Sequence, residues 1–374
     1  MLEDYLIASV GQLLERSRNL QGAISKPFPR EFHTLAQTCR QSVNIVIRGL
    51  EALLKDARYR ARGAESIRLR DYKRRVKDLD LLENVAFAAL MRVNDDDHLM
   101  TRLVDDIAKE INYPLVPPVV SCQSQYYFQA YPLFGLMSVP QKEVNHLLHL
   151  PDLYHELGHF ILLEENNPVV NPFLQAYEKS IASALTYFHE LRRKPTRGPK
   201  MDAAIIPVWE DCWLNAWAME FYCDLFGACA CGPAYGWAHL HLCSKRGQHP
   251  FLVERTRGSS HPPDEARMFV VLEALAHLGY GSQASVIEKQ WRELLRVGGY
   301  ESNADYPRCF PPAVLKAVAE HAVKGFAAMG CHPSQVQKKC RVHDTLNAAW
   351  DEFWKRPKDY AVWERQQVNR LFEM

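Results

Sequence analysis

Residues 151–162 read PDLYHELGHFIL. Wound as an α-helix, each residue turns by about 100°, so His155 and His159 lie only about 40° apart on one face, one turn above the other. Two imidazoles so placed can grip one metal ion. Leu153, Leu157, Phe160 and Ile161 group on the opposite side, so one face can enter a core while the other meets a cleft. Glu156 falls beside the histidine face, where a carboxylate can reach metal-activated water without being a ligand. Pro151 with Asp152 marks the helix start, since proline suits the first helical position and an acid complements the dipole there.

A catalytic zinc site needs a third protein ligand and an open position. Residues 207–227, PVWEDCWLNAWAMEFYCDLFG, offer Glu220 and Asp224 one helical turn apart, with Trp209, Trp213 and Trp217 extending the same face. In this reading Glu220 ligates zinc and Asp224 hydrogen-bonds a ligating histidine from behind. Glu210 is an alternative third ligand, lacking an aspartate at the following turn. The segment His189-Glu190-Leu191-Arg192-Arg193 starts in the same way but has no second histidine, and is expected to bind nothing.

Residues 259–275, SSHPPDEARMFVVLEAL, add a third piece. Pro262 and Pro263 followed by Asp264 and Glu265 read as a helix start, and Met268, Val271, Leu272 and Leu275 give that helix a buried face. His261 then sits just before the helix. With Arg267 it can supply positive or hydrogen-bonding groups to the oxyanion formed when water attacks a carbonyl. Tyr222 and Tyr235 are further possible donors, and nothing in the sequence selects either.

HELGH, then EFYCD, then SHPPDEAR, in this order, resembles the gluzincin metallopeptidases, most closely the family of prenyl-protein-processing and heat-shock membrane proteases. The match covers three short segments within residues 150–275. The resemblance implies zinc held by His155, His159 and Glu220, Glu156 as catalytic base, Asp224 behind a ligand, and His261 and Arg267 in contact with substrate or transition state. It also implies a zincin-type core. Those proteases carry membrane helices, whereas no stretch here approaches the roughly 18 apolar residues a spanning helix needs. Cys223 stands where alanine is common before the aspartate.

The rest of the chain sets this core in an α+β, predominantly helical protein with N- and C-terminal helical additions. Across 374 residues, 47% hydrophobic and 24% charged residues exclude disordered and fibrous classes, and the length suits one large catalytic unit with additions or two domains. Residues 1–111 form a helical N-terminal region, where Leu2, Leu6, Leu13, Leu14, Val43, Ile47, Leu50 and Leu54 recur near helical spacing. Residues 112–300 hold the metallopeptidase core, and residues 301–374 a C-terminal helical region. Residues 111–140 are rich in proline, valine and aromatics and read as a small sheet. A strand at about residues 133–139 is either an edge onto which an extended peptide pairs or an ordinary sheet strand. Helix breaks are expected at ENNPVVNP, KPTRGPK, the turn near Cys231, and GGYESNADYP.

With 45 Lys and Arg against 44 Asp and Glu, the chain has no global field for nucleic acid or an anionic membrane. A local basic run, residues 58–80 with Arg68, Arg70, Lys73, Arg74, Arg75 and Lys77, reads as a solvated helix face that can also contact phosphate or an acidic partner. The acidic N-terminus and the helical setting of Cys39, Cys212, Cys223 and Cys229 point to reduced thiols and a cytoplasmic place. His239 and His241 are read as packing or surface residues. Cys331, His332, Cys340 and His343 fit no zinc-site spacing. The sequence therefore predicts a zinc metallopeptidase acting on a peptide or protein substrate; the alternative is a zinc-binding regulatory protein that keeps the fold without hydrolysis.

Overall fold

Apolar residues spaced three and four apart dictate helices, and helices take up most of the chain. The structure, a computed structural model, describes residues 2–61, 63–193, 203–336 and 340–372; the break expected at KPTRGPK lies outside them. The longer helices are α1 (Leu2–Ile24), α2 (His33–Lys55), α3 (Glu65–Leu81) and α4 (Asp95–Glu110). Three short strands follow: β1 (Val119–Ser121), β2 (Gln129–Tyr131) and β3 (Leu136–Ser138). Beyond them come α5 (Asp152–Leu162), α6 (Asn171–Arg193), α7 (Ala218–Cys231), α8 (Pro233–Lys245) and α9 (Asp264–His277). The last are α10 (Gly281–Val297), α11 (Pro312–Ala328), α12 (Arg341–Lys355) and α13 (Tyr360–Phe372). The described residues are thus predominantly helical with one small sheet.

Strand order is β1–β3–β2, and β1 runs parallel to β3 with Val119 opposite Leu136. The strand expected near residues 133–139 is therefore the middle strand and not an edge. It is also shorter than expected, because Pro132–Phe134 forms a 3-10 turn that closes on Gly135 at φ 61°. Positive φ costs glycine little, which lets the chain reverse into β3 there.

The described chain divides into two compact units. The first holds residues up to 101 with 118–125 and 131–139; the second holds 102–117, 126–130 and the chain from 140 onward. In the first unit, Leu35, Cys39, Val43, Ile47 and Leu50 of α2 bury one face against Val10, Leu13 and Leu14 of α1. Fully burying each such aliphatic side chain stabilises by about 1.5–3 kcal/mol. In the second unit the axis is α7, in which every residue from Glu220 to Cys231 is buried. A helix apolar nearly all round belongs inside a core, and α5, α6, α8, α9 and α11 all contact it. Leading into α7, a helix at Ile206–Cys212 passes into a π-helical stretch at Trp213–Trp217. The wider π turn resets the helix phase, and Trp209, Trp213 and Trp217, spaced four apart, are all fully buried.

Among the described residues no helix is long and apolar enough to cross a membrane, and no disulfide joins the cysteines.

Candidate metal centre

α5 and α7 meet at a glycine. A methyl group on Gly158 would lie 2.9 Å from Cys223 Cα and 3.3 Å from its Sγ, so only glycine allows the two helices to come this close. That approach brings the histidine face of α5 against the Glu220 and Asp224 face of α7. His155 Nε2 lies 3.5 Å from Glu220 Oε2, and His159 Nε2 lies 3.8 Å from Glu220 Oε1. The two imidazole rings stand edge to face with centroids 5.0 Å apart.

Asp224 is wholly buried and both of its oxygens accept hydrogen bonds. Oδ1 accepts from Tyr235 Oη at 2.6 Å, from His155 Nδ1 at 3.0 Å and from Arg267 Nη2 at 2.7 Å, while Oδ2 accepts from Arg267 Nε at 2.7 Å. By accepting from Nδ1, the Asp224 carboxylate holds the ring so that Nε2 points toward Glu220. Gly227 makes the tyrosine bond feasible, since a methyl group there would sit 2.7 Å from the Tyr235 ring. Burial opposes ionisation of Asp224, yet Arg267 and His155 hold its carboxyl well below the usual range. Burial likewise opposes charge on His155, but the Asp224 and Glu220 carboxylates raise it to about 10. His159 goes the other way: burial and the neighbouring charge of His155 outweigh Glu220 and lower it to about 4.

Glu220 is the pivot. Its Oε2 is buried and makes no hydrogen bond, although His155 Nε2 and His261 Nε2 both stand 3.5 Å away and Arg267 Nη2 3.7 Å away. Burial disfavours its charge, but His155 and Arg267 bring its pKa down to about 2. An anionic oxygen ringed by nitrogens just beyond bonding distance leaves room for a cation among them. Two donors each about 2.1 Å from a tetrahedral zinc lie roughly 3.4 Å apart, close to the spacing seen here.

Cys223 also comes near: one ligand atom from each of His155, His159 and Cys223 lies within 4.8 Å of the others. Burial and the surrounding carboxylates push its thiol well above the ordinary range. Cys223 is also the small side chain that faces Gly158.

Glu156 is buried beside this group, and the backbone of Ala130 in β2 hydrogen-bonds its carboxyl. Burial raises it to about 7. His261 is half exposed, with Nδ1 bonded to Ser260 Oγ at 2.8 Å. The PPDE segment fixes the start of α9: Arg267 N–H bonds the Pro263 carbonyl at 3.1 Å, and Glu265 accepts from Trp291 Nε1 at 2.5 Å.

The sequence-derived residues His155, Glu156, His159, Glu220, Asp224, His261 and Arg267 thus gather in one place. Arg267 differs from expectation: it lies buried and forks onto Asp224, so it braces the carboxylates and does not face a cleft. Glu210 is taken by an ion pair with Arg192, which removes it as a third ligand. Tyr235 and Tyr222 are engaged with Asp224 and Ser180, the latter at 2.8 Å, so neither points a hydroxyl at an oxyanion. His189 and Glu190 are exposed on α6. Cys331, His332, Cys340 and His343 form no metal-holding group among the described residues.

In the basic run, Arg68 is buried and bonded to the Tyr59 carbonyl and Glu3, and Arg75 pairs with Asp78 at 3.1 Å. Arg70, Lys73, Arg74 and Lys77 are exposed.

A second group escaped the sequence reading. His239, Cys243 and Asp264, all buried, bring one ligand atom each within 4.8 Å of one another. Its signal was present in His-x-x-x-Cys at one-turn spacing on α8, but the carboxylate comes from a different helix.

Compared with protein-family models, with curated proteins and with solved structures, the chain has no match in any of the three.

Proposed function

We propose that this chain is a zinc metallopeptidase of gluzincin type that hydrolyses peptide bonds in a peptide or protein substrate. The observation that carries this reading is the buried Glu220 Oε2 with no hydrogen bond, faced by His155, His261 and Arg267 at 3.5–3.7 Å. Nitrogen and carboxylate donors from two helices, with one histidine held by a buried aspartate, suit zinc. His155, His159 and Glu220 would hold it. When bound, zinc supplies Lewis acidity, polarising the scissile carbonyl and acidifying water in the open position.

The protein's own groups do the rest. Glu156 accepts a proton from the attacking water and passes it to the leaving amine, the work of a carboxyl whose burial eases protonation near neutral pH. Asp224 and Tyr235 keep the His155 ring in one orientation. Arg267 offsets the charge of two buried carboxylates, which would otherwise repel each other. His261, half exposed and next to Glu220, donates in this reading to the oxyanion that develops on the substrate carbonyl.

Glu156→Gln tests this directly. Removing a positioned general base costs roughly 10²–10⁴ in rate. The variant should retain its zinc, measured by atomic absorption, and lose that factor in cleaving an unstructured peptide pool. Wild-type turnover in Glu156→Gln would overturn the assignment.

A further inference from the structure

We propose that His239, Cys243 and Asp264 form a second divalent-metal site, suited to zinc and structural in role, that ties α8 to the start of α9. His239 and Cys243 lie one turn apart on α8, and Asp264 is the first residue of α9. All three side chains are buried, and each offers a ligand atom within 4.8 Å of the other two. Cys243 Sγ stands 3.6 Å from His239 Nε2. Sulfur at about 2.3 Å and nitrogen at about 2.05 Å on a tetrahedral ion are separated by roughly 3.6 Å.

The donor set selects the metal. One sulfur, one imidazole and one carboxylate are the ligands of a borderline-soft ion such as zinc, whereas magnesium and calcium take oxygen alone. Charge agrees, since a thiolate and a carboxylate cancel a dication, and a neutral cluster is what a buried place accepts. Binding converts the Cys243 thiol to thiolate and releases its proton to solvent. Asp264 also lines a cleft of about 720 Å³ shared with Arg246, His249, Arg257 and His261, which gives the ion a route in and leaves a fourth position on that side. The consequence is mechanical. Asp264 lies three residues after His261 and three before Arg267, so a metal here would pin the segment that carries both beside Glu220.

The test is titration of the full-length protein with cobalt(II), which shows a thiolate-to-metal charge-transfer band only where sulfur ligates. Wild type should bind two equivalents, one of them with that band. Cys243→Ser should lose the band and one equivalent, while Cys223→Ser keeps both and Glu220→Gln disturbs only the band-free equivalent. Asp264→Asn, close to isosteric, should keep the fold and weaken the band-forming equivalent by at least about tenfold. The absence of a thiolate band from folded wild type would overturn the proposal. So would a band that persists in Cys243→Ser and vanishes in Cys223→Ser. Cys223 lies within reach of the His155 group, and the Cys223→Ser arm keeps this readout distinct from failure of the peptidase reading.

Discussion

In the His155 cluster and in the His239 cluster alike, one helix supplies two donors a turn apart and another supplies a carboxylate. The support behind the donors differs. Asp224 receives four bonds from Tyr235, His155 and Arg267, which fixes one histidine, and Glu220 is left ionised with an unbonded oxygen. In the His239 group the donors lie against each other, Cys243 Sγ 3.6 Å from His239 Nε2. A half-exposed histidine beside Glu220 completes the first; the second is buried throughout. Braced charge with an unbonded carboxylate oxygen beside a half-exposed histidine suits chemistry, while buried donors lying against one another on two helices suit holding those helices together.

The largest expected effect breaks the bracing. Arg267→Met leaves Asp224 as a buried charge without its guanidinium, which costs about 3–5 kcal/mol. Denaturant unfolding should show that loss, and zinc affinity at the His155 group should fall with it. Gly158→Ala comes next. The added methyl meets the Cys223 backbone at 2.9 Å, and overpacking of about 1–3 kcal/mol outweighs the helix-propensity gain of about 1 kcal/mol. A lowered melting temperature and weaker metal binding at the His155 group, with the Cys243-dependent cobalt band unchanged, would sharpen the contrast. Glu210→Gln should do least. Its ion pair with Arg192 is partly exposed and contributes no more than about 1 kcal/mol, so zinc stoichiometry by atomic absorption should stay at the wild-type value.

How much of this was legible follows from where the residues sit in the chain. HELGH lies within a single turn-and-a-half of helix, so its geometry follows from helical pitch alone. Glu220 and Asp224 were readable for the same reason, and the three tryptophans before them marked a helix buried on that side. What one helix could not reveal was the far partner of each group. Arg267 reads from its own helix as a donor to the substrate oxyanion, and only the packing of α9 against α7 turns it onto Asp224. Asp264 reads as a helix-start acid, and only the approach of α8 makes it the third donor beside His239 and Cys243. The sheet failed differently. Composition marked residues 111–140 as a small sheet with a strand near 133–139 but carries no record of pairing order, so β3 emerged in the middle where an edge was open as a reading.

Anomalous scattering at the zinc edge, from crystals of the full chain grown without added metal, tests the central claim most directly. The account predicts a peak bonded by His155 Nε2, His159 Nε2 and a Glu220 oxygen, with Asp224 still on His155 Nδ1. No peak at that position, or one coordinated by Cys223 with Glu220 turned away, would contradict it.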